Sequence, residues 1–191
     1  MMKMKRVLLL LTILGYISLP ALAEPDYTDG SLWNHNAKTP DGRSYLAGFV
    51  RGYIEGRRWG IEMLEGTLPH ARFDFSSPID KNQIESRLLM ETVYYSRALE
   101  ETNFKTTIDQ VTAWYQDTEN GRITWIKLVD LAIGKVNGYH MKYITYQLKW
   151  LRESSNQKRI DWFHTIDPAT GKGLVKHYDK EGKVVRVEVV K

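Results

Sequence analysis

The feature that most constrains this chain is a change of hydrophobic period near residue 155. Across residues 44–153 apolar side chains recur every three or four positions, the spacing of amphipathic helices. After Ser154-Ser155-Asn156 the repeat drops to two, the spacing of strands. The pattern predicts a mainly α fold: a helical bundle of four to five helices with a small C-terminal antiparallel β-meander. Three regions follow: 1–23 as a signal peptide, 24–156 as a helical domain, and 157–191 as a three-stranded element packed on or appended to it.

Residues 24–42, rich in Asp, Gly, Asn, Thr and Pro, read as an irregular segment held by Leu32 and Trp33. From Ser44, Leu46, Phe49, Val50, Tyr53, Ile54, Ile61 and Leu64 form one stripe, with Arg51, Glu55, Arg58, Glu62 and Glu65 opposite, until Gly66 and Pro69 end the helix. A loop at 66–79 carries Phe73-Asp74-Phe75. Further helices are expected at 80–101, 104–115 and 125–136. Gly138 either stops the last of these or bends it into a longer helix reaching about residue 153. The strands are expected at 160–166, 174–178 and 184–190. In the third, alternation predicts that Val185, Val187 and Val189 face the helices while Arg186 and Glu188 face water.

The amino terminus combines Lys3, Lys5 and Arg6, an apolar run over 7–19, and Pro20 before Ala21-Leu22-Ala23. That order predicts cleavage between Ala23 and Glu24 and a periplasmic or secreted product. About 13 apolar residues fall short of the roughly 20 needed to span a bilayer, so no membrane insertion is expected after cleavage. The chain has no cysteine, which excludes a lipidated amino terminus and any disulfide. Three of the 27 basic residues leave with the leader and 24 remain against 23 acids, a net charge of about +1. Bulk charge therefore implies no nucleic-acid partner.

Gly48, Gly52, Gly56 and Gly60 form a ridge along the first long helix. Each costs about 1 kcal/mol relative to alanine, so close packing must offset the set. Tight intramolecular helix packing is the first expectation, a homodimer seam the second and a ligand groove the third. The charges at Arg51, Glu55, Arg57, Arg58 and Glu62 exclude a lipid-spanning helix.

Catalytic and metal-binding patterns do not emerge. His35, His70, His140, His164 and His177 have no metal-pair spacing, no serine sits in a nucleophile elbow, and Gly171-Lys172-Gly173 reads as a hairpin turn. Glu62 with Glu65, or Glu100 with Glu101, could be proposed as a glycosidase pair, yet all lie among Lys and Arg on solvated faces. No catalytic residue, metal or cofactor is assigned. Of the six tryptophans, Trp59 lies between the glycine ridge and the charged arc. With Arg57 and Arg58 it forms the expected partner-binding patch, since Trp and Arg are enriched at binding hot spots.

One set of motifs resembles a known family. Asp29-Gly30-x-x-Trp33, Tyr45-Leu46-x-Gly48-Phe49-Val50-x-Gly52, Ile108-Asp109-x-Val111 and Tyr115-x-Asp117-x-Glu119-Asn120, with a helix closing at Gly138, resemble the Rap/Tai-type periplasmic immunity proteins over residues 29–138. Those proteins protect bacteria from peptidoglycan-cleaving type VI secretion effectors. The resemblance implies a helical fold and a non-enzymatic inhibitor with a protein partner, possible exported toxins included. Two departures stand out: the cysteine pair often found in the family is absent, and residues 139–191 lie outside the shared pattern. The alternatives are an envelope structural or stress protein that pairs through its C-terminal strands, and a carboxylate-dependent cell-wall hydrolase.

Overall fold

The computed structural model describes residues 30–67 and 81–191. The leader, the segment before Gly30 and the Phe73-Asp74-Phe75 cluster lie outside the described residues. Six α-helices precede three strands among those described: α1 Gly30–Asn36, α2 Pro40–Thr67, α3 Lys81–Ala98, α4 Glu101–Tyr115, α5 Trp125–Val136 and α6 Met141–Ser155, then β1 Trp162–His164, β2 Gly173–Tyr178 and β3 Val184–Val190. The protein is mainly helical, with a small C-terminal antiparallel sheet.

The segment expected to be irregular contains α1. Tertiary anchoring orders it: Trp33 is buried against Tyr115 and donates from Nε1 to Thr112 Oγ1 at 3.0 Å. Gly30 N donates to Gly121 O at 2.8 Å, and a Cβ on Gly30 would strike the Tyr115 ring. The next helix starts at Pro40 and not at Ser44, because Thr39 Oγ1 accepts from Gly42 N at 3.1 Å and caps the first turn. Proline suits that first position, where its missing N–H would have had no intrahelical acceptor.

The helical core forms where the apolar stripes meet. Val50 and Ile54 of α2, Val111 of α4, and Leu128, Val129 and Ile133 of α5 are fully buried in it. The turn after α4 is tied to α6 by charge. Arg152 donates to Asp117 Oδ2 at 2.7 Å, Glu119 Oε2 at 2.6 Å and Asn120 Oδ1 at 3.0 Å. Tyr115 Oη donates to Ile123 O at 2.6 Å across the same turn. The Tyr115-x-Asp117-x-Glu119-Asn120 motif thus serves local architecture. Gly138 is a true break: its φ of 91° is left-handed, and α6 restarts with His140 Nδ1 accepting from Lys142 N at 3.2 Å.

In the sheet, β2 lies between β1 and β3, antiparallel to both. The sheet docks on α6: Trp162, Ile166, Val175 and Val190 pack against Tyr143, Tyr146 and Trp150. Trp162 Nε1 donates to Glu153, Tyr146 Oη donates to Glu188 Oε1 at 3.1 Å, and His164 Nε2 meets Gln147 Oε1 at 3.1 Å.

Two expectations are corrected here. The valine face of β3 points the other way: Val185, Val187 and Val189 are exposed, while Glu188 is half-buried and Val190 is buried. Val190 sets the parity. It enters the small core beside Val175, and a period of two then sends Val189 and Val187 outward, with Val185 exposed at a register irregularity. The glycine ridge is not a packing seam within the described structure. A Cβ at Gly48, Gly52, Gly56 or Gly60 would meet nothing within 4 Å. The ridge shares the solvent side of α2 with Tyr45, Phe49, Trp59 and Met63, all exposed, while Leu46, Val50, Ile54 and Ile61 fill the core.

Candidate functional site

Helices α2, α3, α5 and α6 converge on a cleft of about 580 Å³. Its floor is built by spacing. Arg57 of α2 lines it, with Tyr53 one turn earlier on the same flank and in hydrogen-bond contact with Asp130. α3 contributes the adjacent Tyr94 and Tyr95, α5 contributes Asp130, and Tyr139 and Tyr143 close the wall at the start of α6. Met90, Leu131 and Leu151 supply apolar surface.

The polar groups are held in fixed positions. Tyr53 Oη donates to Asp130 Oδ1 at 2.8 Å, and Tyr94 Oη donates to Asp130 O at 3.3 Å. Arg57 Nε donates to Tyr95 Oη at 3.2 Å, with its guanidinium carbon 5.5 Å from the Tyr95 ring centre. Asn137 Nδ2 donates to Tyr94 O at 3.1 Å. Tyr94 also lies 5.8 Å from Tyr139 by ring centres, Tyr139 lies 5.4 Å from Tyr143, and Tyr143 lies 5.8 Å from His164. The ring contacts run without interruption from the cleft to the sheet.

Burial sets the protonation states. It raises the Asp130 carboxyl above its ordinary value, against the opposing pull of the Tyr53 hydrogen bond and the Arg57 charge. Desolvation also raises Tyr94, Tyr53, Tyr95 and Tyr143 above the ordinary phenol value, so these hydroxyls stay neutral donors at physiological pH. The Tyr95 hydrogen bond holds the Arg57 guanidinium charged. The cleft therefore combines phenol hydroxyls, aromatic faces, a partly desolvated carboxylate and the cations Arg57 and Lys127. Such a lining can grip a segment that is part apolar and part polar.

Consecutive helical residues point about 100° apart, so the expected patch is divided. Arg57 lines the cleft. Arg58 pairs with Glu62 at 3.3 Å on another flank, and Trp59 is 64% exposed on the glycine side. Among the described side chains of the carboxylate pairs raised from sequence, none lines the cleft. Glu62 is in that ion pair, Glu100 accepts from Asn103 Nδ2 at 3.1 Å, Glu101 is exposed, and the Glu65 side chain lies outside the described residues. Glu91, which had not been singled out, lines the cleft with Asp130. The one local signal for the site was Asp130 itself, a carboxylate set between Val129 and Leu131 in the most apolar helix. Among the described residues no group of three or more His, Cys, Asp or Glu is placed to hold a metal ion.

Fold and cleft together define a mainly helical protein with a docked three-stranded sheet and a tyrosine-lined groove. No family model, curated protein or solved structure matches the chain. No described helix is long and apolar enough to cross a membrane.

Proposed function

We propose that the chain is an exported binding protein, processed between Ala23 and Glu24, that acts in the periplasm or beyond the cell and accepts a segment of a protein partner in the tyrosine-lined cleft. The observation that carries this reading is the cleft's lining: Arg57, Tyr94, Tyr95, Tyr139 and Tyr143 around the carboxylates Asp130 and Glu91. Tyrosine and arginine offer large, rigid contact area with polar ends, which is why they dominate binding hot spots. The leader and the Rap/Tai resemblance favour a peptidoglycan-targeting effector as the partner. On this reading the protein works by occupancy, without turnover, cofactor or metal.

The test uses the processed protein as bait in periplasmic extract, comparing wild type with Arg57→Ala, Tyr94→Ala and the remote control Lys105→Ala. A discrete partner retained by wild type and the control, and lost by both cleft variants, is the expected result. A partner retained equally by all four would remove the cleft from the reading. Peptidoglycan clearing in a zymogram that disappears with Asp130→Asn or Glu91→Gln would replace it with hydrolysis.

A further inference from the structure

The outer edge of the sheet is a second surface, separate from the cleft. β3 is an edge strand: β2 occupies one side, and no strand lies on the other among the described residues. Which backbone groups face that free side follows from the ladder. Thr165 N bonds Leu174 O at 2.8 Å and Tyr178 N bonds Asp161 O at 2.7 Å, so Leu174, Lys176 and Tyr178 direct their backbone groups toward β1. Hydrogen-bonding direction alternates along a strand, so Gly173, Val175 and His177 turn theirs toward β3, where their partners are Val190, Glu188 and Arg186. Val187 and Val189 therefore present N–H and C=O groups to the open side, while Val185 is the extra residue of a register irregularity between the His177–Arg186 and Tyr178–Val184 pairs. The side chains of Val187 and Val189 are also exposed, and Phe163 is exposed on the same outer face of the sheet.

The strand is its own complement. Reversed about Val187, Val184-Val185-Arg186-Val187-Glu188-Val189-Val190 places Val187 opposite Val187, Val185 opposite Val189, and Arg186 opposite Glu188 on both sides of the centre. The central Val187 pair falls on residues whose backbone groups are free, giving about two interchain hydrogen bonds, and the Val185–Val189 pairs lie at the ends, where the irregularity begins. The Arg–Glu pairs fall on the intervening sites, where opposed side chains approach most closely. An inward-facing charge on an edge strand ordinarily deters pairing, because a foreign strand leaves it unmatched. In the self-register both charges are matched. Within one chain, Arg186 Nη2 and Glu188 Oε2 are 3.9 Å apart and Arg186 is 70% exposed, so that arginine remains available.

We propose that the occupant of this edge is a second copy of the chain, paired antiparallel through β3 about a two-fold axis at Val187, as an isologous interface requires. The two sheets join into one, with both helical bodies on the same face and the outward valines continuous on the other. This inference does not rest on the cleft.

The absence of cysteine makes the test clean, since any bridge must join introduced residues. In the processed protein, Val187→Cys places two thiols across the axis at a Cα separation of about 5.5 Å, within reach of a disulfide. Val185→Cys places its two copies about 14 Å apart along the strands, beyond reach. The proposal expects concentration-dependent dimers of wild type by sedimentation, with cross-linking of Val187→Cys and none of Val185→Cys under mild oxidation. Arg186→Glu should raise the dissociation constant about tenfold or more, and adding Glu188→Arg should restore it. Wild type that sediments as a monomer at all concentrations, or equal cross-linking of the two cysteine variants, overturns it. So does a β3 edge that becomes protected from hydrogen exchange only when another protein is added. Circular dichroism of each variant separates lost pairing from lost folding.

Discussion

The helical body and the C-terminal sheet are held together in different ways. The body has a core supplied by every helix, with α5 buried along much of its length. The sheet buries four apolar side chains and completes its core with aromatic residues borrowed from α6. An isolated sheet of this size has too little apolar surface of its own to be stable. The body should therefore survive loss of the sheet, and the sheet should not survive loss of α6. On the readings proposed above, one binding surface lies in the rigid part and another on a dependent edge.

The comparison breaks most visibly at Trp162, the largest side chain of the small core. Trp162→Ala should cost the sheet about 3–5 kcal/mol while leaving the helical far-ultraviolet signal intact. Hydrogen exchange would show β1 to β3 exposed and α5 still protected; simultaneous exposure of α5 would mean that the two regions form one cooperative unit. Arg152→Met acts on α6, which both regions share. Loss of its hydrogen bonds to Asp117, Glu119 and Asn120 should lower stability by about 2 kcal/mol in a urea titration. A change confined to either region would show that α6 does not couple them.

Two substitutions on the glycine ridge bear on α2. Gly52→Ala and Gly56→Ala should each stabilise the protein by about 1 kcal/mol, because the new methyl group meets open space and the helix gains propensity. Destabilisation would show that the ridge is packed after all. The smallest effect is a pH dependence at His164, where burial lowers the imidazole pKa below its ordinary value. The unfolded chain then protonates first, so the full contribution is present above about pH 6.5 and declines as pH falls toward the folded value. The stability difference between pH 7.5 and pH 5.5 should shrink in His164→Gln; an unchanged difference would place the pH response elsewhere.

Long periodic segments were legible from the residues alone. α5 has the boundaries its apolar spacing implies, and the switch to strands follows residue 155 as expected. α1 was not legible, because seven residues are too few to show a period and Trp33 is ordered by Tyr115 and Thr112, distant in sequence. The facing of β3 was hidden for another reason. Valines occupy both parities of that strand, and contact of Val190 with the small core, not the count of apolar residues, decides which side is covered. Glycine spacing revealed a ridge without revealing that nothing stands opposite it among the described residues. The cleft left almost no local trace, since its tyrosines come from elements separated by dozens of residues and meet only in the folded bundle.

The most direct test of the central claim, that the cleft is where this protein meets its partner, is a photoreactive side chain at Met90. This residue is 66% exposed and lines the cleft. Irradiated in the cell envelope, it should yield one discrete adduct that disappears when Tyr94→Ala is added and is absent when the probe stands at Lys105. The same adducts from both positions, or none from Met90, would contradict the account.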